Sequence, residues 1–196
     1  MKDNGLLVQY FTANTTDSQD LWKKAAEDAA VLKKMGATAV WFPPATKGAQ
    51  GKEDMGYAPY DLYDLGEFDQ KGSVGTRYGT KDEYIAAIKA MKDQGINVYA
   101  DIAVRQKLGA DRIEKVTAAD FNTKDIPQMI GNKKTVGALS KFTFPGRKSK
   151  YSKFKWNWKH FAGIDWKQEE FKKRVCALEG KDYDCLLYTS DAADDR

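Results

Sequence analysis

The sequence predicts an α/β protein built on a parallel β-sheet. Three short apolar runs, at 6–11, 38–42 and 97–102, are bounded by glycine, proline or polar residues and are typical of buried strands. Two amphipathic segments, at 20–35 and 81–94, lie between the runs and predict surface helices. Strands that alternate with helices are joined by right-handed crossovers, which makes the strands parallel.

Both predicted helices carry start and stop signals. The first has apolar residues at helical spacing, namely Leu21, Trp22, Ala25, Ala29 and Leu32. Gly36 follows it at the position where a C′ glycine ends a helix. Thr80 and Glu83 form the capping-box pair of the second helix, and Gly95 ends it. Both helices are therefore predicted with defined ends.

Beyond the third apolar run the alternation of strands and helices ends. Residues 107–184 are rich in lysine, glycine and aromatic residues. Lys141-Phe-Thr-Phe144 is strand-like, and the stretch 151–159 alternates in the same way. This part of the chain predicts an irregular, β-rich excursion after the third strand.

Composition and charge limit the possible functions. The chain has 196 residues, of which 42% are hydrophobic, so it can bury the core of one ordinary domain. The net charge of +4 is mild, and no nucleic-acid partner is predicted. A minor alternative treats the basic and aromatic stretch 147–159 as a nucleic-acid surface, since such residues contact phosphates and stack on bases.

The beginning of the chain bears on its location. Met1-Lys-Asp-Asn-Gly leads directly into the first apolar run, without a basic segment followed by an apolar one. No apolar stretch approaches the roughly twenty residues that a membrane span needs. These features predict a cytoplasmic protein without a membrane partner.

Several stretches carry a resemblance to a known family. In chain order they are Leu7-Val-Gln-Tyr-Phe11, Ala39-Val-Trp-Phe-Pro-Pro-Ala45, Gly56-Tyr-Ala-Pro-Tyr-Asp-Leu-Tyr-Asp-Leu-Gly-Glu-Phe68, Tyr78-Gly-Thr-Lys81, and Phe144-Pro-Gly-Arg147 with Phe154-Lys-Trp156. Together they resemble the liquefying bacterial α-amylases, a branch of the α-amylase family of glycoside hydrolases. The long second-loop block and the later Phe-Pro-Gly-Arg are the most specific parts, and the resemblance spans residues 6–184.

The resemblance implies a (β/α)₈ TIM barrel whose third βα-loop is enlarged into a β-rich domain B. Residues 1–104 then correspond to the first three βα units of the catalytic barrel, and residues 105–184 to a domain B-like insertion. A whole barrel takes roughly 250 residues, so the fold is expected to be truncated here. In the family, calcium lies between the barrel and domain B.

The resemblance also implies a sugar-binding site at the carboxyl ends of the strands. Tyr57 matches a tyrosine that stacks on the sugar beside the cleaved bond, because the apolar face of a pyranose covers an aromatic plane. Tyr60 and Tyr63 are interpreted as packing residues. Asp101 begins the motif Asp-Ile-Ala-Val-Arg-Gln, where the family has Asp-Val-Val-x-Asn-His. Gln106 replaces the histidine and is predicted to hydrogen-bond a sugar hydroxyl.

The same motif departs from the family at the metal position. Arg105 replaces the asparagine whose carbonyl binds calcium in the family. Because a guanidinium has only donors and a positive charge, Arg105 is expected to weaken or abolish calcium binding. Asp165 and Asp184 match positions that supply carboxylates to the metal cluster, with solvated loop acids as the alternative. Whether Arg105-Gln106 marks a diverged relative or a sequence error stays open.

Other residue types that bind metals are sparse. His160 is the single histidine and has no histidine or cysteine at ligand spacing, which favours a packed or surface role. Cys176 and Cys185 match neither a zinc motif nor a disulfide framework. A zinc site is therefore not predicted.

The resemblance implies that the parent protein hydrolyses internal α-1,4-glucosidic bonds of starch- or glycogen-type glucans with retention. That reaction needs a nucleophile aspartate and an acid/base glutamate, which the family takes from later strands. No segment here resembles them, so the chain itself is predicted to be inactive. The alternative is a non-catalytic carbohydrate-binding or degenerate relative. Thr12-Ala13 supports it, because the family commonly has Glu-Trp there and a stacking tryptophan is missing.

The last residues, 185–196, are interpreted as foreign to the protein. A DNA string that encodes Cys185 to Asp194 looks like the transposase adapter used in short-read library preparation. The alternative takes Cys185-Leu-Leu-Tyr188 as a variant of the family's Tyr-Leu-Met-Tyr, with only the later residues foreign. In either case the tail carries no functional prediction.

Overall fold

The structure is a computed structural model that describes residues 5–11, 19–122, 128–167 and 172–181. Thr12, Ala13, Asp184 and the tail 185–196 lie outside the described residues. The predictions that concern them therefore stay predictions.

The chain forms two compact units. The first consists of Met1–Gly109 and Pro145–Ser152, and the second of Ala110–Phe144 and Lys153–Arg196. A short segment that includes Arg147 thus returns to the first unit late in the sequence. The functional domains predicted at 1–104 and 105–184 stay a prediction.

The described part of the first unit has two helices, five strands and a short 3₁₀ helix at Gly51–Glu53. In chain order its main elements are β1 (Leu7–Gln9), α1 (Leu21–Lys34), β2 (Ala39–Phe42), β3 (Lys47–Gly48), β4 (Pro59–Asp61), α2 (Lys81–Asp93) and β5 (Asn97–Ala100). The strands β1, β2 and β5 form a parallel sheet in the order β1-β2-β5, which confirms the parallel sheet predicted from the alternation of strands and helices. The strands β3 and β4, which lie between β2 and α2 along the chain, pair antiparallel.

The helix α1 forms because its apolar residues fall on one face. Trp22, Ala25, Ala29 and Leu32 are buried, as their spacing predicts. Gly36 has φ +89°, the left-handed conformation that ends a helix and that glycine adopts without steric cost. The helix therefore stops where the sequence indicates.

The helix α2 begins with the predicted capping box. The Thr80 hydroxyl accepts a hydrogen bond from the backbone N–H of Glu83 at 3.4 Å, and Oε2 of Glu83 accepts one from the N–H of Thr80 at 2.8 Å. Two backbone donors that the helix itself cannot satisfy are thus satisfied locally. Gly95 follows the helix at φ +69°.

Aromatic rings form the centre of the first unit's core. The Trp22 ring lies 5.3 Å from Phe42, 5.5 Å from Tyr78 and 4.7 Å from Tyr84, measured between ring centroids. These tilted contacts join α1 to β2 and to α2. Each fully buried ring of this size contributes on the order of 2–3 kcal/mol through burial of apolar area.

The two faces of the parallel sheet differ in burial. Val8, Val40 and Val98 are aligned across the three strands and pack in the core with α1 and α2. Successive residues point to opposite faces, so Leu7 and Tyr99 lie on the other face, where they are 55% and 59% exposed. The prediction that the first and third strands are buried is therefore wrong. Among the described strands of this sheet, only the central strand β2 has a neighbour on each side, and α1 and α2 pack on the face that carries the three valines.

The second unit is β-rich and antiparallel. Its strands are β6 (Arg112–Asn122), β7 (Gln128–Lys141), β8 (Gly163–Lys167) and β9 (Lys172–Leu178), in the sheet order β7-β6-β9-β8. Its core contains Val116, Ala118, Val136, Ala138, Cys176 and Leu178. The sequence patterns predicted a β-rich region here but did not indicate the long strands β6 and β7.

Two strand-like stretches of the sequence are not strands. The strand β7 ends at Lys141, because the N–H groups of Thr143 and Phe144 turn to Oδ2 of Asp111 at 2.6 and 3.2 Å. The stretch 151–157 has irregular backbone and leads into a short 3₁₀ helix, Trp158–His160. There the aromatic residues pack on one another instead of alternating between two sheet faces.

Candidate functional site

The loop after β2 presents Tyr57 and is fixed through its backbone. Oδ1 of Asp54 accepts hydrogen bonds from the N–H groups of Gly56 at 2.8 Å and Ala58 at 3.4 Å. Gly56 has φ +92°, and a Cβ atom at this residue would lie 2.6 Å from Cβ of Pro44. Glycine alone meets both restrictions, so the loop has little freedom at this point.

Tyr57 and Asp101, two of the predicted sugar-binding residues, are in direct contact. The Tyr57 hydroxyl donates a hydrogen bond to Oδ2 of Asp101 at 2.8 Å. Asp101 follows β5, and its backbone N–H donates to the carbonyl of Phe42 at the end of β2. The pair therefore lies at the carboxyl ends of two neighbouring parallel strands. Burial, and then the hydrogen bond to Asp101, raise the pKa of Tyr57, so the phenol stays a proton donor at neutral pH.

Gln106 completes this cluster. Its Nε2 donates a hydrogen bond to the backbone carbonyl of Tyr57 at 2.8 Å. Tyr57, Asp101 and Gln106 are all partly exposed, and together they are called the tyrosine site below. The structure thus brings together the three residues predicted to bind the substrate, while their role in sugar binding stays a prediction.

The neighbouring tyrosines have different environments. Tyr60 is fully buried, whereas Tyr63 is 49% exposed and its ring lies 5.2 Å from the Arg147 guanidinium carbon. The Tyr78 hydroxyl donates to the carbonyl of Met55 at 3.1 Å, which adds a further contact to the loop of Tyr57. Burial raises the pKa of Tyr78 to about 12.

A second polar cluster in the first unit is enclosed. Its members, called the buried ionic network below, are Lys47, Asp61, Asp64, Gln70 and Arg147, all at most 3% exposed. Nζ of Lys47 donates to the carbonyls of Ser73 and Val74, both at 2.6 Å, and lies within 3.3 Å of two further carbonyls and 3.7 Å from Oδ2 of Asp64. A neutral amine has two N–H groups, so these acceptors favour the ammonium form, although burial lowers the pKa of Lys47.

Arg147 joins a late segment of the chain to this network. Its Nε donates to Oδ2 of Asp61 at 2.6 Å, and its Nη1 donates to the carbonyls of Lys150 and Ser152 at 2.7 and 2.9 Å. Nε2 of Gln70 donates to Asp61 and Asp64, which links the two acids. Asp61 and Arg147 lie in stretches that carry the family resemblance, but they are 86 residues apart, and no local pattern in the sequence indicates that they pair.

The burial of Arg147 also bears on the nucleic-acid alternative. Its side chain is paired with Asp61 and is 2% exposed, so the first cation of the stretch 147–159 does not face solvent. A phosphate-binding surface needs exposed cations. The alternative therefore loses one of its basic residues.

Sequence comparison finds relatives across nearly the whole chain, although no family model matches it. The α-amylase of Bacillus licheniformis is 46% identical over 181 residues, which cover 92% of this chain and 35% of that protein. The α-amylase of Geobacillus stearothermophilus is 46% identical over 177 residues, which cover 90% of this chain and 32% of that protein. The chain belongs to the α-amylase family. It spans about a third of the length of these curated relatives.

Solved structures give a coarser likeness. A truncated alternansucrase from Leuconostoc mesenteroides NRRL B-1355 matches with a TM-score of 0.55 and 22% identity. The match covers 71% of this chain and 13% of that chain. At this identity the comparison shows that the amylase-family chain shares its mixed α/β fold with that protein, and nothing about its ligand.

Of the two acids predicted to bind calcium, Asp165 and Asp184, only Asp165 lies among the described residues of this amylase-family chain. Arg105 is exposed in the first unit, and its guanidinium has no lone pair to offer a cation. Asp165 lies in β8 of the second unit and is exposed, and Asp184 lies outside the described residues. Within the described ranges no group of three acidic, histidine or cysteine side chains is placed to hold a metal ion. Calcium binding therefore stays a prediction, and the proposed function does not depend on it.

The remaining candidates have structural environments. Nδ1 of His160 accepts a hydrogen bond from the N–H of Asn157 at 3.0 Å, and its ring packs 4.8 Å from Phe154. Cys176 is buried in the core of the second unit. Of the helices in the described part of the chain, none is both long and apolar enough to cross a bilayer.

Proposed function

We propose that this amylase-family chain contributes sugar-binding residues to an enzyme that hydrolyses internal α-1,4-glucosidic bonds of starch- or glycogen-type glucans with retention. The Tyr57 ring is the platform for one glucosyl unit, and Asp101 accepts hydrogen bonds from its hydroxyl groups. The nucleophile and the acid/base come from segments without a counterpart in this chain. The chain by itself therefore binds glucan without cleaving it.

The 2.8 Å hydrogen bond between Tyr57 and Asp101 carries the proposal. It fixes the far end of the phenol ring, while the backbone contacts of Asp54 and Gly56 fix the near end. A ring held in this way loses little conformational freedom when a sugar stacks on it. The carboxylate beside the ring supplies a polar partner, which is the combination that a pyranose needs.

The proposal extends to the fold. The strands β1, β2 and β5 with α1 and α2 are the first three βα units of a (β/α)₈ barrel, and the second unit is the domain B-like insertion. Exposed Leu7 and Tyr99 support this, because the face opposite the helices becomes a packed interior when a barrel closes. Hydroxyl-radical footprinting tests it: Tyr99 should be modified less in an extended parent protein than in this chain, and equal modification contradicts the barrel.

Binding to α- and β-linked oligosaccharides tests the role of Tyr57. Isothermal titration should show that the chain binds maltoheptaose in preference to cellohexaose. Tyr57→Ala should weaken maltoheptaose binding about tenfold because the stacking area is lost, whereas Tyr57→Phe keeps the ring and should lose less. Tyr63→Ala, at another partly exposed tyrosine, is the matched control. Equal affinity of wild type and Tyr57→Ala removes the platform role.

Turnover distinguishes the enzyme from the alternative of a non-catalytic or degenerate relative, which the Arg105-Gln106 pair favours. Reducing-end assays on starch should give no signal with this chain. A reading frame extended beyond it should give turnover with release of the α-anomer. Binding of glycogen by the extended protein without turnover would instead support the degenerate relative.

A further inference from the structure

We infer that Gln106 is a positioning residue for Tyr57 and acts through the Tyr57 backbone instead of binding the sugar. The inference rests on the proposed function, because it assigns a role within the same tyrosine site. The sequence motif predicted instead that Gln106 hydrogen-bonds a sugar hydroxyl. The side chain that replaces the family's histidine is turned toward the protein.

The geometry of Gln106 is that of a bridge between two loops. Gln106 follows β5, Tyr57 follows β2, and the Nε2-to-carbonyl hydrogen bond of 2.8 Å joins residues 49 positions apart. The acceptor of this hydrogen bond is the backbone carbonyl of Tyr57, whose ring is the proposed sugar platform. It therefore acts on the position of the ring without touching the ring's sugar-binding face.

Gln106 and Asp101 hold the two ends of Tyr57. Asp101 accepts the bond from the phenol hydroxyl, and Gln106 donates to the carbonyl next to its Cα atom. Asp101 and Gln106 both come from the segment that follows β5. This one segment therefore contacts both the hydroxyl and the backbone of Tyr57. Fixing a ring before the ligand arrives lowers the entropy that binding must lose.

The preceding part of the loop already has its own anchors. Asp54 accepts from the N–H groups of Gly56 and Ala58, and Tyr78 donates to the carbonyl of Met55. None of these bonds involves the Tyr57 carbonyl. The hydrogen bond from Gln106 therefore adds a contact that the other anchors of the loop do not supply.

A carboxamide suits this role for a chemical reason. Its N–H₂ group is a donor at every pH at which the protein folds, whereas an imidazole gains and loses a proton near neutrality. The link between the two loops is therefore independent of pH. Gln106→Glu has nearly the same shape but, when ionised, presents only acceptors to the carbonyl.

Hydrogen exchange of the loop amides tests this inference. In Gln106→Ala and Gln106→Glu, the Gly56 and Ala58 amides should exchange about fivefold faster, because the loop loses one of its hydrogen bonds. The urea midpoint should remain near that of wild type, since the effect is local. Gln94→Ala, the same change at a glutamine that follows α2, should leave exchange at these amides unaltered. Maltoheptaose affinity should fall about threefold in both Gln106 variants and should not change in Gln94→Ala.

The outcomes separate this inference from the proposed function. Weaker maltoheptaose binding with unchanged exchange would make Gln106 a sugar ligand and overturn the positioning role, as would unchanged exchange with unchanged binding. If wild type does not bind maltoheptaose but the variants exchange faster, the positioning role stands and the proposed function fails. If Gln106→Ala does not fold, the near-isosteric Gln106→Glu decides.

Discussion

The tyrosine site and the buried ionic network both contain aspartate and glutamine and lie in one unit, yet they differ in burial. The network has five members that are at most 3% exposed, and its charges are held by several contacts each. The tyrosine site is partly exposed, and its side chains are joined by single hydrogen bonds. A polar cluster that is enclosed holds loops together through its hydrogen bonds and ion pairs. One that is open to solvent at the ends of parallel strands retains surface for a ligand.

This difference has an energetic consequence. In an enclosed cluster, removal of one charge leaves its partner buried and uncompensated, which costs several kcal/mol. At a partly exposed site, water takes the place of the lost partner and the cost is small. Mutations in the network should therefore act on stability, and mutations in the tyrosine site on binding.

The largest effect is expected from Lys47→Met, which keeps the length of the side chain and removes the ammonium. Asp64 and the carbonyls of Ser73 and Val74 lose their donor in a place that water does not reach, so the free energy of unfolding should fall by about 4 kcal/mol. Urea unfolding followed by circular dichroism measures it. Lys52→Met, at an exposed lysine, is the control and should change stability by less than about 0.5 kcal/mol.

Arg147→Leu should be the next largest and cost about 3 kcal/mol, because Asp61 stays buried without its cation. The double variant Arg147→Leu/Asp61→Leu removes both charges and should recover part of this loss. The same urea unfolding gives the coupling between the two positions. A double variant whose loss equals the sum of the single losses would show that the pair is not coupled and would contradict the network.

Gly56→Ala sharpens the comparison on the side of the tyrosine site. The new Cβ meets Pro44 in a left-handed backbone conformation, so stability should fall by about 2 kcal/mol and maltoheptaose binding should be lost with it. Gly72→Ala separates the two causes, because Gly72 has φ +78° and a Cβ there meets no atom within 4 Å. It should lose about 1 kcal/mol from backbone strain alone. Equal losses in the two variants would contradict the steric role of Pro44.

The smallest effect concerns an exposed ion pair. Hydrogen bonds from Lys150, then Lys81 and Tyr151, lower the pKa of Glu67 to about 2. The folded value lies below the unfolded value of about 4.3, so the stabilisation is present above that pH and is lost as the pH falls toward 2. Glu67→Gln should flatten this part of a stability–pH curve, and salt should do the same in wild type. Glu53→Gln, at an exposed glutamate, is the control. If Glu67→Gln and Glu53→Gln lose stability equally as the pH falls, the role of the Glu67 ion pair is contradicted.

The sequence by itself determined the features that depend on neighbouring residues. Helical spacing and the pair Thr80 and Glu83 located the helices, and apolar runs located the parallel strands. The motif around Tyr57 and Asp101 selected residues that lie in contact in the structure. Local periodicity and contiguous motifs predict these features because the residues that determine them lie close together in the sequence.

Only the tertiary structure decided which polar groups are enclosed and which apolar residues are exposed. Arg147 and Asp61 are 86 residues apart, and Gln106 turns inward to Tyr57 across 49 residues. Tyr99 belongs to an apolar run and yet is exposed, since helices cover one face of the sheet. A charged or apolar side chain is stabilised by what surrounds it, and residues distant in sequence supply those surroundings.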